Sequence, residues 1–313
     1  MNANSKQPAP TINSWVANAT TLLSSAGITT ARLDSELILS HVLQTTRTWL
    51  IAHQNDNIDN AKTLQNADKL LAKRLQRIPL AYLTNHKEFY NRSFFVNESV
   101  LIPRPESETI IELLKTCIEA FDEDVTERQP NATGAKPRKV ASENEEIDAF
   151  NVRLLDVGTG SGCLGITAKL EYSSLSVTVS DISTEALSIA RKNARLHGAK
   201  PIRYVQSNLL DHWMSHENPK KFDIIIANLP YVDRSWHRSP ETDHEPALAL
   251  FADDDGMALI KKCIQQASSL TSVNGYLILE ADPEQHDGIV SFGNQHGFTM
   301  VRIEGYIVTL QRN

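Results

Sequence analysis

Two short stretches of this 313-residue chain carry residue types that could do chemistry. In Asp156-Val157-Gly158-Thr159-Gly160-Ser161-Gly162, three glycines alternate between an apolar run, Leu154-Leu155, and a helix-like segment, Cys163-Leu164-Gly165-Ile166-Thr167-Ala168. Glycine removes the Cβ atoms that would block a ligand and permits positive φ. The helix start behind such a turn offers unpaired N–H groups and partial positive charge. The second stretch, Asn228-Leu229-Pro230-Tyr231, ends Phe222-Asp223-Ile224-Ile225-Ile226-Ala227, the most apolar strand-like run in the chain. An Asn side-chain oxygen and the next backbone carbonyl can accept both N–H bonds of a planar amide or amino group. Tyr231 could stack on that group, and Pro230 stiffens the turn. The first stretch alone suits a small bound ligand; the second alone reads equally as an ordinary strand-to-loop turn.

The elements that must position them alternate strand and helix. Strands are expected at 153–155, 176–180, 202–205, 222–227 and 275–280, with helices at 163–168, 184–197, 257–270 and 283–296 between and after them. Residues 299–303 and 306–310, joined by Glu304-Gly305, read as a closing pair, which must be antiparallel because a parallel return needs a crossover. Asp181 ends the second strand, where an acid can hold a ribose diol by two hydrogen bonds. The turn is Gly-x-Gly-x-Gly rather than the dinucleotide Gly-x-Gly-x-x-Gly, and no Lys-Ser/Thr pair follows it, against a nucleoside-triphosphate loop. This set resembles the S-adenosylmethionine pocket of class I methyltransferases. The resemblance implies Gly158, Thr159, Gly160, Ser161 and Gly162 around the methionine end of that cofactor, Asp181 at the ribose, Asn208 and Leu209 beside the adenine, and Asn228 at the junction with the substrate.

The whole chain sets broad limits. Its 313 residues suffice for two modest domains, 41% of them hydrophobic, with a net charge of −7 that disfavours a large sequence-independent grip on nucleic acid. No run approaches eighteen apolar residues, and Met1 to Pro8 lacks the apolar core of a signal peptide, so a cytoplasmic protein with no membrane partner is expected. Cys117, Cys163 and Cys263 are far apart with no metal-ligand spacing, and the ten histidines form no metal pair; reduced thiols and no metal are the expectation. From Asn13 to about Arg77 the apolar spacing is helical, as in Trp15, Val16, Ala19, Leu22 and Leu23, and no catalytic constellation appears. Lys62, Lys69, Lys73, Arg74 and Arg77 are expected on a solvated face. Residues 122–150 hold eight acids, four bases, Pro and Gly with little apolar periodicity, as a disordered surface insertion would.

Between the helical part and the sheet lie Pro79-Leu80-Ala81-Tyr82-Leu83-Thr84, Lys87-Glu88-Phe89-Tyr90 and Leu101-Ile102-Pro103-Arg104-Pro105-Glu106. With the glycine loop, Asp181-Ile182-Ser183, His244-Glu245-Pro246-Ala247-Leu248-Ala249-Leu250 and Asp255-Gly256, these resemble HemK-type (PrmC-type) release-factor glutamine N5-methyltransferases over roughly residues 30–290. The resemblance implies N-methylation of the glutamine in the Gly-Gly-Gln motif of peptide-chain release factors, with S-adenosylmethionine as cofactor and the release factor as protein partner. It implies Asn228, Leu229, Pro230 and Tyr231 as the catalytic clamp, and Phe89 and Arg104 as further residues meeting the substrate. The α/β architecture it implies is a helical recognition domain (1–84), a β-hairpin linker (85–105) and a seven-stranded Rossmann-like methyltransferase domain (106–313); separately, a monomer without stable nucleic-acid binding is expected. Three positions depart from the family: Leu229 where Pro is usual, Asn208 where Asp is usual, and Gly305-Tyr306-Ile307-Val308 in place of an Asp-Arg. The alternatives are a ribosomal-protein glutamine methyltransferase, an adenine methyltransferase on RNA or DNA, which shares the Asn-Leu-Pro-Tyr form, and a non-catalytic binder of the cofactor.

Overall fold

The structure is a computed structural model that describes residues 9–128 and 152–313. The chain divides into two units, one formed by residues up to His86 with Arg238–His244, the other by Lys87–His237 and Glu245–Asn313.

The first unit is helical: α1 (Ile12–Ser25), α2 (Ala31–Leu43), α3 (Arg47–Ala52), α4 (Ala61–Leu75) and α5 (Leu80–Thr84). Side chains start three of them. The Thr11 hydroxyl accepts from Ser14 N at 3.1 Å, Thr46 from Trp49 N at 3.1 Å, and the Asn60 side chain from Lys62 N at 2.9 Å. The expected apolar stripes meet in one core of Trp15, Ala19, Leu23, Ile38, Leu39, Ala67 and Leu71. One expectation is corrected: Arg74 is only 5% exposed, not solvated. It donates to Asp34 Oδ2 at 2.7 Å and to Glu241 Oε1 at 2.9 Å, and Arg77 reaches the same Glu241 oxygen at 3.0 Å. The partner lies 167 residues away in sequence, beyond the reach of any local pattern.

The second unit opens with a two-stranded sheet, β1 (His86–Phe89) and β2 (Arg92–Phe95), then α6 (Glu108–Arg128). The expected end of that helix at Phe121 falls seven residues short, because no Gly or Pro intervenes before Pro130. The rest of the expected insertion lies outside the described residues. There follow β3 (Arg153–Val157), α7 (Cys163–Glu171), β4 (Ser176–Asp181), α8 (Thr184–His197), β5 (Ile202–Gln206), α9 (Asp211–Met214), β6 (Phe222–Ala227), α10 (Ala247–Leu250), α11 (Ala258–Leu270), β7 (Thr271–Glu280), α12 (His286–Gln295), β8 (Phe298–Glu304) and β9 (Ile307–Arg312).

Seven strands form one sheet in the order β5-β4-β3-β6-β7-β9-β8; β9 pairs antiparallel with both neighbours and the remaining pairs are parallel. Successive side chains of a strand point to opposite faces. Ile224 and Ile226 of β6 accordingly join one core with Ile110, Leu114, Ile166 and Val179, while Ile225 and Ala227 join the other with Ile260, Ile264 and Leu277. Burial on both faces explains why β6 is an unbroken apolar run rather than an alternating one. β7 starts four residues earlier than expected. Its register jumps from Phe222↔Thr271 to Ile224↔Tyr276, and Gly275 sits in that irregularity, where a Cβ would stand 2.8 Å from Asp223 O.

Candidate active site

The order of strands reverses between β3 and β6, and crevices outside the carboxyl ends of strands at such a point are where ligands bind in open α/β sheets. A cavity opens there. Its wall includes Gly158 to Ser161 after β3, Asp181 at the end of β4, Asn208 and Leu209 after β5, and Asn228 to Pro230 after β6. Arg104 and Ser107 complete it from the segment before α6.

The glycine turn is held from below. Asp156, at the end of β3, accepts through Oδ2 from Thr159 Oγ1 at 2.5 Å and from Gly165 N at 3.0 Å. Burial raises its carboxyl to about 6 against those bonds, and Oδ1 has no partner among the described residues. The three alternate glycines have three different reasons to be glycine. Gly160 (φ +54) has nothing within 4 Å of an added Cβ, so that side is left open for a ligand. Gly158 (φ +70) lies against Leu229, with 3.2 Å from a Cβ to Leu229 Cδ2. Gly162 does not line the cavity, contrary to expectation: a Cβ there would stand 2.6 Å from Ile166 Cδ1 and 3.0 Å from Ala190 Cβ, so its bareness lets α7 pack on α8.

Asp181 accepts from Gly160 N through Oδ2 and from Ser183 N through Oδ1, each at 2.9 Å. Burial still raises its pKa, and it keeps acceptor capacity on the cavity wall, as a carboxylate holding a diol requires. Leu209 sits at φ +50, a backbone setting rare for a branched residue, at the wall. An open glycine cradle, a half-buried acid one strand over and an apolar wall at Leu209 fit S-adenosylmethionine.

Asn228 presents its Nδ2 to Ser107 Oγ at 3.1 Å, and its Oδ1 has no protein partner among the described residues. Leu229 is buried and lines the cavity; Pro230 lines it as well. Tyr231 does not. It is half-buried, its hydroxyl donates to Glu280 Oε1 at 3.4 Å, and burial and Glu280 together raise its pKa. Its backbone is fixed too: Gln285 Nε2 donates to Tyr231 O at 3.0 Å and to Asp255 O at 2.8 Å. A Cβ on Gly256 would come within 2.0 Å of Tyr231 O, which gives the Asp255-Gly256 pair a physical reason.

Two residues expected to meet substrate differ. Phe89 is 1% exposed, packed edge-on to Phe94 at 6.1 Å in the core beside α6, because the hairpin needs an apolar anchor. Arg104 does line the cavity, but its guanidinium is held by buried Glu245 at 2.5 Å, whose other oxygen accepts from Ile102 N at 3.1 Å. Sequence reasoning missed Ser107, Glu280, Glu245 and Gln285. The one signal was Glu280, an acid closing the apolar run Tyr276-Leu277-Ile278-Leu279. Among the described residues no cluster of His, Cys, Asp and Glu could hold a metal, and no helix is long and apolar enough to cross a membrane.

Known proteins match this arrangement. The PrmC N-terminal domain family matches residues 14–84 and the methyltransferase small domain family residues 143–244. A bifunctional methyltransferase of Rickettsia conorii is 31% identical over 293 residues, 92% of this chain and 54% of the relative, so the chain spans about half the length of that relative. Release factor glutamine methyltransferases of Leptospira interrogans and Neisseria gonorrhoeae are 33% and 31% identical, covering 88% and 90% of this chain and 87% and 91% of their own. With identity running nearly end to end through the helical part, the linker and the sheet, the chain belongs to the release factor glutamine methyltransferase family.

Proposed function

We propose that the protein transfers a methyl group from S-adenosylmethionine to the side-chain amide nitrogen of the glutamine in the Gly-Gly-Gln motif of peptide-chain release factors. The observation that carries this reading is Asn228: it lines the cavity at the end of β6, its Nδ2 is committed to Ser107, and its oxygen is left to accept an N–H from a planar group. The Leu229 carbonyl follows in the chain and takes the second N–H, a role that a Pro at this position would fill equally. When bound, S-adenosylmethionine supplies an electrophilic sulfonium methyl. The protein's part is alignment. Two acceptors hold the amide plane so that its weak, delocalised lone pair faces the methyl, and orientation of this kind is worth ~7–11 kcal/mol of a barrier. No strong base is needed, because the nitrogen becomes acidic as it is methylated and can then release its proton.

A lone glutamine offers too little surface to be selected among all protein glutamines. The helical unit, which contains no chemistry of its own, is assigned the recognition of the release factor, since specific interfaces bury about 800 Å² per partner. A substrate that acts in translation would be met in the cytoplasm, where the protein would act as a monomer, and the net charge of −7 disfavours stable nucleic-acid binding. The test is to incubate the protein with methyl-labelled cofactor and, separately, release factor, a ribosomal protein mixture and RNA or DNA. Label is expected on the release factor alone; label on nucleic acid or ribosomal protein instead would replace this assignment.

A further inference from the structure

A line of hydrogen bonds runs behind the cavity wall. Asn228 Nδ2 donates to Ser107 Oγ at 3.1 Å, and Ser107 Oγ donates to Glu280 Oε2 at 2.5 Å. Tyr231 donates to the other oxygen of Glu280 at 3.4 Å. Glu280 closes β7 and is 1% exposed. The direction of these bonds matters more than their number. An ionised carboxylate can only accept, and a serine hydroxyl has one proton. With that proton committed to Glu280, Ser107 can only accept from Asn228. The amide must then turn its Nδ2 toward Ser107, which leaves Oδ1 as the atom available to a ligand. If the carboxylate's demand is removed, the serine can donate to Asn228 instead, and the amide can flip. A flipped Asn228 would oppose its own NH2 to the N–H of the target.

We propose that Glu280 is the positioning residue of the clamp: acting through Ser107 and by its own pull on the amide N–H, it fixes the amide of Asn228 in the one orientation that presents an acceptor to the substrate. This rests on the reading of Asn228 as the target's acceptor. The groups around Glu280 are consistent with a carboxylate set to orient its neighbours. Ser107 and Tyr231 donate to it, the Asn228 amide also lowers its pKa as a donor, Glu106 adds like charge from the turn before α6, and Cys163 faces it from the start of α7. Burial raises the Glu280 carboxyl to about 7 in spite of its donors, so the relay titrates near neutrality. Protonated Glu280 no longer compels Ser107 to donate; the acid side of the pH profile should report this group.

The experiment measures kcat, KM for release factor and cofactor affinity for Ser107→Ala, Asn228→Ala, the double variant and Glu280→Gln. Ser107→Ala is expected to lower kcat about ten- to hundredfold, as misalignment does, with cofactor affinity within about threefold as the check that the cavity is intact. In the Asn228→Ala background the same change is expected to cost less than about twofold, since no amide is left to orient. Wild-type kcat is expected to fall as pH drops below about 7, and Glu280→Gln to lose that limb because it cannot titrate. An undiminished Ser107→Ala penalty in the double variant, or an acid limb that survives in Glu280→Gln, overturns the proposal. A normal kcat in Asn228→Ala would instead overturn the clamp reading beneath it. A low kcat in Asn228→Ala with a normal one in Ser107→Ala would remove the relay alone.

Discussion

The acids around the cavity are buried differently from the acids of the helical unit. In the helical unit, buried acids are matched with cations. Glu36 is raised by burial, but bonds from Arg47 and Arg32 outweigh this and leave its pKa lowered. Glu241 is likewise opposed by burial yet brought down to about 2 by Ser239, Arg77 and Arg74. In the methyltransferase unit Glu245 is also paired, with Arg104, but Asp156 and Glu280, which are buried, and Asp181, which is half-buried, have no ion pair among the described residues, and desolvation pushes all three up. The first arrangement is what folding alone favours, since an unpaired buried charge is costly. The second is costly to folding and useful to chemistry, and perturbed carboxyls gathered around one cavity mark a functional site. The difference separates a unit built to hold its shape from one built around a ligand.

The sharpest way to break this comparison is to unpair a charge in the helical unit. Arg74→Met strips Asp34 of its partner, and an orphaned buried charge typically costs about 3–5 kcal/mol. Chemical denaturation should register a loss of that order; a variant as stable as wild type would mean that the ion pairs of this unit are incidental.

The two glycines of the turn sharpen the other side. Gly160→Val and Gly162→Val share the strain of a positive φ, about 1–3 kcal/mol each. Only Gly162→Val also drives a side chain into Ile166 and Ala190, so it should melt at a lower temperature than Gly160→Val. Gly160→Val should keep its fold and lose cofactor binding by calorimetry. The reverse pattern would exchange the roles assigned to the two residues.

The smallest effect is one of pH. Glu280 and Asp156 titrate at about 7 and about 6 in the folded unit, above their ordinary values, so between those limits the folded state holds more protons than the unfolded one. Their contribution therefore falls as pH rises from about 4 through about 7. Glu241, lowered to about 2, contributes fully above the ordinary carboxylate range and is lost only as pH falls toward 2. Hydrogen exchange between pH 6 and pH 8 should show the methyltransferase unit loosening with rising pH while the helical unit stays constant. Activity, which needs ionised Glu280, should rise over the same interval.

Much of this was legible in the sequence because it was written locally. The glycine turn, the acid ending β4, the apolar run of β6 and Asn228 beyond it each sit within a few residues of the pattern that reveals them. The order of helices and strands followed from the same periodicity. What was hidden joins distant residues: Ser107 to Glu280 across 173 positions, Arg104 to Glu245 across 141, and Arg74 to Glu241 across 167. Phe89 and Tyr231 illustrate a second limit. An aromatic beside a motif reads as a substrate contact, and only packing tells that one ring anchors a hairpin and that the hydroxyl of the other reaches a buried acid. Gly162 illustrates a third, since bareness for a ligand and bareness for a helix contact look identical in sequence.

The central claim is that the cavity at β3, β4 and β6 methylates a glutamine held by Asn228, and it has a direct test. Intact release factor and its Gly-Gly-Gln glutamine→Ala variant are each incubated with S-adenosylmethionine and either wild-type protein or Asn228→Ala, then digested and analysed by mass spectrometry. The account predicts one added methyl on the side chain of that glutamine with wild-type protein, none on the alanine variant, and a rate lower by orders of magnitude with Asn228→Ala. A methyl on any other residue, or equal rates with wild type and Asn228→Ala, would contradict it.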